Sequence, residues 1–209
     1  MESAFRIGID FDNTIITYDE VFCAVAKRWG LIDQTFCGRK QELRDAIRLL
    51  PEGELAWQRL QGQVYGKGIG EAKIVPGFEA FLRRCRAEKC SVVIVSHKTD
   101  YGHYDPDRVN LRKAALDWMA AMGLFDDAHG IGLKDVYFES TREEKLNRIA
   151  ALSLTYFIDD LKEVLTDPGF PPTVRRILFA EDEPSPTALY SVCPSWRDVE
   201  QQVFAGAAA

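Results

Sequence analysis

The residues best suited to chemistry stand near the start of the chain. An apolar run over residues 5–9 stops at two aspartates, Asp10 and Asp12, and Asn13 and Thr14 follow at once. Two carboxylates at this spacing repel each other unless a cation neutralises them, and hard divalent cations take oxygen ligands. The pair therefore predicts a metal. A carboxylate can also act as an oxygen nucleophile or carry a proton, and the local spacing does not say which aspartate would do which. Three later stretches end in or carry polar groups of matching character. Residues 91–95 run into Ser96, His97, Lys98 and Thr99, a helical pattern opening at Thr141 carries Lys145, and residues 154–158 end in Asp159 and Asp160.

Short apolar strands must deliver these groups. Strands are predicted at 5–9, 91–95, 136–139, 154–158 and 176–179. They are almost wholly apolar, as parallel strands buried on both faces are. Helical patterns alternate with them. Phe78, Phe81, Leu82 and Cys85 repeat at helical spacing, as do Leu111, Ala115, Trp118 and Met122, with Gly123 as a stop. Thr141 with Glu144 reads as a capping box, which fixes the start of the helix and sets Lys145 one turn in. Strand–helix alternation implies right-handed crossovers and a three-layer α/β/α sandwich. In open sheets of this kind, ligands bind at the carboxyl ends of the strands, where the polar residues fall.

A strand-end Asp-x-Asp-x-Thr, a strand-end Ser, a downstream Lys and a strand-end Asp pair, in that order, resemble the haloacid dehalogenase-like (HAD) hydrolase superfamily. The resemblance spans residues 5–179 and implies a parallel Rossmann-like sheet. It implies Asp10 as nucleophile, forming an aspartyl-phosphate, and Asp12 as the acid that protonates the leaving alcohol and then activates water. It implies Mg²⁺ held by an Asp10 side-chain oxygen, the Asp12 backbone carbonyl and a carboxylate of Asp159, with Asp160 as alternate or supporting ligand. Ser96 and Lys145 would bind phosphate; Lys98 and, more weakly, Lys134 compete with Lys145 for its role. Glu163 is a candidate support for the metal site. Asn13 departs from a common pattern, since many members have Gly there, and Asn tolerates the unusual backbone of such turns.

The stretch from 16 to 75 breaks the alternation. It holds three helical patterns, around Val21–Trp29, 38–50 and 54–65, and a glycine run from Gly66 to Gly70. This predicts a small all-helical insertion, and HAD enzymes of one large class carry a helical cap at this place. The expected domains are thus a core of 1–15 and 76–209 and a cap of 16–75, with hinges near Ile16–Asp19 and Gly66–Gly70. Arg39, Lys40, Arg44, Arg48, Arg59 and Lys67 lie in the insertion. The polar and aromatic segment 97–108 begins at the phosphate site and holds His97 and His103; His97 and Tyr104 are candidates to touch substrate. His129 sits in a Gly-containing loop and reads as structural.

At 209 residues with 46% hydrophobic content, one domain with an insertion is expected. A net charge of −6 gives no basic field to gather nucleic acid, so no nucleic-acid partner is expected. No apolar run approaches the ~18 residues of a membrane span, and Asp10 and Asp12 interrupt the only N-terminal apolar stretch, so neither membrane nor secretory signal is expected. Five cysteines without a C-x-x-C pair argue for free thiols in a reducing cytoplasm rather than disulfides or zinc. The tail 205–209 carries no chemistry. The resemblance and these bounds together imply a cytoplasmic, Mg²⁺-dependent phosphatase of a small phosphorylated metabolite. A dehalogenase would not need Asp12, while a phosphotransferase or nucleotidase, a polynucleotide phosphatase, and a non-catalytic binding module remain the alternatives. Oligomeric state is not legible.

Overall fold

A computed structural model describes residues 5–102, 104–105, 107–181 and 188–205. The strands are β1 (Arg6–Ile9), β2 (Ile16–Thr17), β3 (Lys73–Ile74), β4 (Ser91–His97), β5 (Val136–Glu139), β6 (Tyr156–Asp159), β7 (Arg175–Phe179) and β8 (Ser191–Cys193). The helices are α1 (Asp19–Arg28), α2 (Lys40–Arg48), α3 (Gly53–Tyr65), α4 (Phe78–Ala87), α5 (Leu111–Ala121), α6 (Arg142–Ala151), α7 (Lys162–Leu165) and α8 (Trp196–Phe204). Two compact units form: one from the chain up to Ile16, Ile74–Lys98 and the residues from Met122 on, the other from Thr17–Lys73 and Thr99–Ala121.

The first unit is built on a six-stranded sheet in the order β5-β4-β1-β6-β7-β8, parallel at every pairing. Side chains alternate across it. Val93, Val95, Phe157 and Leu178 face a cluster with Leu146 and Ile149 of α6 and Val164 and Leu165 of α7. Phe179 has the opposite parity to Leu178 and meets Trp196 of α8, which in turn packs on Phe78 and Phe81 of α4. Helices therefore cover both faces, giving the expected three layers. Gly8, in the middle of β1, is dictated by this packing: a Cβ there would meet Leu154 Cδ1 at 2.4 Å and Phe157 Cδ2 at 2.7 Å.

The strands differ from expectation at their ends. β4 runs on to His97 because Ser96 and His97 pair with Phe138 and Glu139. β6 starts at Tyr156 rather than at 154, since Ser153 has φ 51 and turns the chain just before it. β8 and α8 lie beyond the predicted elements. β8 is only three residues long, but α8 had a legible signal: Ser195 caps it, accepting from Asp198 N, and Trp196, Val199 and Val203 form its buried stripe.

The second unit is helical. Phe22 of α1 stacks on Trp57 of α3 with centroids 5.1 Å apart, and Tyr65 meets Phe22 and Tyr18 edge-on. The glycine run is folded as a 3-10 turn, Lys67–Glu71. The segment Thr99–Ala121 joins this unit for physical reasons that the periodicity of α5 does not reveal. Trp118 Nε1 donates to Ala72 O at 3.1 Å, and Gly102 lies so close to α3 that a Cβ would sit 3.0 Å from Gly62 Cα. β2 and β3 pair as a two-stranded ribbon at the points where the chain first leaves and re-enters the sheet unit. No helix among the described residues is long and apolar enough to cross a membrane.

Candidate active site

β4, β1 and β6 are neighbours and run parallel, so their carboxyl ends bring three polar segments to one edge. Asp10 follows β1 directly, its N–H donating to Ile158 O at 2.9 Å. Asp159 is the last residue of β6. α6 supplies the cation. Its start is fixed by the predicted capping box, with Thr141 Oγ1 accepting from Glu144 N and Glu144 Oε2 accepting from Thr141 N, both at 3.1 Å. One turn in, the fully buried Lys145 donates to Asp10 Oδ1 and to Asp159 Oδ2, each at 2.6 Å.

A lysine buried this deeply is held there by its two carboxylates. Burial pulls its ammonium down, and the charges of Asp10 and Asp159 outweigh that and hold it above the ordinary lysine range. Asp10 is driven the other way: burial, with Asp159 and Asp12 nearby, pushes its carboxyl up to about 7 against the lowering effect of Lys145. Lys145 thus does not cancel the effect of burial on Asp10. Carboxylate oxygens of Asp10, Asp159 and Asp160 lie within 4.8 Å of one another. The donors are all hard oxygens, which suits a cation of the Mg²⁺ or Ca²⁺ type rather than a thiolate- or imidazole-seeking metal. The residues fit a divalent cation.

The surrounding contacts hold this geometry. Leu161 N donates to Asp159 Oδ1 at 2.8 Å. Asn13, at φ 58, donates its side-chain amide to Asp160 Oδ2 at 3.1 Å. Lys98, also buried, donates to both oxygens of Asp12 at 3.1 and 2.8 Å. Trp196 Nε1 of α8 donates to Thr14 O at 3.0 Å, tying the turn after β1 to the far helix layer.

No family model and no curated protein matches the chain. Solved structures do. A haloacid dehalogenase-like family hydrolase from Xanthomonas campestris superposes with a TM-score of 0.55 over 98% of this chain and 96% of its own, at 13% identity. A HAD family hydrolase from Deinococcus radiodurans R1, solved with bound phosphate and sodium, gives 0.54 over 99% and 98%, at 12% identity. The fold is HAD-like. A predicted phosphoglycolate phosphatase from Haemophilus somnus 129pt shares it, with a TM-score of 0.52 over 94% of this chain and 96% of that one, at 13% identity.

Within the HAD-like unit, Ser96 is buried near the end of β4, two strands away from Asp159. Lys98 and Lys145, read from sequence as competitors for one role, hold different carboxylates. The Lys98–Asp12 pair, the Asn13–Asp160 bond and the Trp196–Thr14 bond went unread, because nothing in local spacing links residues so distant along the chain. His97 is exposed, with Nε2 2.8 Å from Ser140 O at the head of α6. Lys134 and Glu163 are exposed. His129 has Nδ1 2.9 Å from Gly123 O, which fits a structural role. His103 lies outside the described residues, as do residues 206–209 of the tail.

In the helical unit most of the basic residues are spoken for. Lys40 donates to Tyr65 OH at 2.8 Å, Arg44 pairs with Asp45 at 3.0 Å, Arg48 with Glu54 at 2.6 Å and Lys67 with Asp107 at 2.6 Å. Arg59 instead lines a cavity of about 510 Å³ together with Trp29, Gln63, Tyr104 and Asp105.

Proposed function

We propose that the chain is a Mg²⁺-dependent phosphatase that hydrolyses a small phosphorylated metabolite through an aspartyl-phosphate at Asp10. The observation that carries this is the buried Lys145 bridging Asp10 and Asp159 at 2.6 Å, at the ends of adjacent parallel strands, with Asp12 two residues on. The phosphate bound in the Deinococcus radiodurans neighbour and the predicted phosphoglycolate phosphatase from Haemophilus somnus support the same class of reaction.

Each residue then has a task. Asp10 attacks phosphorus as its carboxylate, the ester P–O bond breaks, and Asp12 gives the leaving alkoxide its proton. Water next attacks the phosphorus of the aspartyl-phosphate and yields a proton to Asp12. The acyl P–O bond breaks, releasing inorganic phosphate and restoring the Asp10 carboxylate. Lys145 holds Asp10 in line and offsets charge on the equatorial oxygens, and Ser96 donates its hydroxyl to one of them. Asp10, Asp159 and Asp160 would hold the Mg²⁺ with the Asp12 carbonyl, and when bound it supplies further positive charge at the phosphate. Lys98 steadies Asp12. His97, engaged at Ser140, borders the phosphate-binding set. The helical insertion that follows β1, expected at 16–75, serves as the cap that selects substrate, and free thiols at all five cysteines suit a reducing cytoplasm.

The test is phosphate release from a panel of phosphorylated metabolites and an aryl phosphate, with Mg²⁺ and with chelator, beside Asp10→Asn. The expected result is metal-dependent release that the variant lacks. Full activity in Asp10→Asn would overturn the mechanism, and no release from any compound would favour a non-catalytic role.

A further inference from the structure

We propose that Asn13 is a positioning residue for the metal, its side-chain amide fixing the Asp160 carboxylate as an oxygen ligand beside Asp10 and Asp159. The proposal rests on the metal reading above and goes beyond it in assigning Asn13 a task.

Asn13 occupies the left-handed region at φ 58, where Gly and Asn are the residues that fit at least cost. The turn alone would be served by glycine. Asparagine adds a donor, and that donor reaches Asp160, 147 positions away in the chain, at 3.1 Å. The carboxylates differ in how they are held. Asp159 is fully buried and accepts from both Lys145 and Leu161 N. Asp10 is buried and accepts from Lys145. Asp160 is only partly buried, and among the bonds it accepts is one from the neutral amide of Asn13. A lysine in that place would orient the carboxylate but cancel its charge. An amide orients it without adding a positive charge beside the cation. Hydrogen bonds that orient a ligand typically govern metal affinity by about 10–100-fold.

The experiment is isothermal titration of Mg²⁺ into the whole chain, for wild type, Asn13→Gly, Asp160→Asn and the double variant, without substrate. Glycine keeps the turn, so Asn13→Gly should melt like the wild type in chelator. It should bind Mg²⁺ about 10–100-fold more weakly, and its effect should vanish in the Asp160→Asn background. Wild-type affinity in Asn13→Gly overturns the proposal. So does an equal loss with and without Asp160, which would mean that Asn13 acts through the backbone. A wild-type chain with no Mg²⁺ affinity would instead bring down the metal reading itself, and the proposal with it.

Discussion

Replacing Lys145 with methionine removes the ammonium that bonds Asp10 and Asp159 and fills the same space with apolar atoms. Breaking a buried ion pair from one side costs about 3–5 kcal/mol, because a desolvated charge is left behind. Here the pH decides how much of that cost is felt. Burial, with Asp159 and Asp12, already pushes the Asp10 carboxyl up to about 7, and the variant loses the lysine that opposes the rise. A carboxyl whose folded pKa lies above its unfolded value of about 3.9 contributes stability that is complete at low pH and lost as pH rises through the folded pKa. At pH 5 Asp10 is protonated in both proteins, so the deficit is that of Asp159, which loses its ammonium at either pH. At pH 8 the wild type gains by ionising Asp10 beside Lys145 and the variant does not, which adds about 1.4 kcal/mol to the deficit. For a chain of this size each kcal/mol moves the melting temperature by about 2–4 °C, so the expected deficit is roughly 6–20 °C at pH 5 and about 3–6 °C more at pH 8. The assay is scanning calorimetry in chelator at both pH values, followed by Mg²⁺ at pH 8, which should recover part of the loss. A deficit equal at pH 5 and pH 8, or one under about 2 °C at pH 8, would refute the reasoning.

Asp12→Asn should lower kcat by about 10²–10⁴-fold while calorimetric Mg²⁺ affinity stays within a few-fold, since only its backbone carbonyl is assigned to the metal. Lys98→Met should cost about 10²-fold in kcat/KM through a displaced Asp12, with Mg²⁺ binding retained. A loss of metal affinity in either variant would reassign these residues. Because Asp10 must give up its proton to hold a cation, and its carboxyl sits at about 7, Mg²⁺ affinity should rise from pH 6 to pH 8 with proton release. A Kd flat over that range would contradict the Asp10 assignment.

The sheet was legible because buried parallel strands leave apolar runs that stop at the site: β1 before Asp10, β4 before Ser96, β6 before Asp159. Lys145 was legible because Thr141 and Glu144 form a local capping box. What escaped was set by contacts between distant parts of the chain. Nothing near Asn13 says that it reaches Asp160, and nothing near Lys98 says that it faces Asp12 rather than Asp10. The periodicity of α5 predicts its helix, but its membership of the helical unit depends on Trp118 meeting Ala72 and Gly102 meeting Gly62, which no periodicity encodes. β2 and β3, at two residues each, are too short to leave any pattern. α8 could have been found from Ser195 and the Trp196, Val199, Val203 stripe.

The central claim is that phosphorus bonds to Asp10 during turnover. The chain can be quenched while hydrolysing its best substrate with Mg²⁺, reduced with tritiated borohydride, and mapped by peptide. Borohydride reduces an acyl phosphate to the alcohol, so the account predicts label at Asp10 and none in Asp10→Asn. Label on Asp12 or on any other carboxylate side chain of an active preparation, or no label at all, would contradict it.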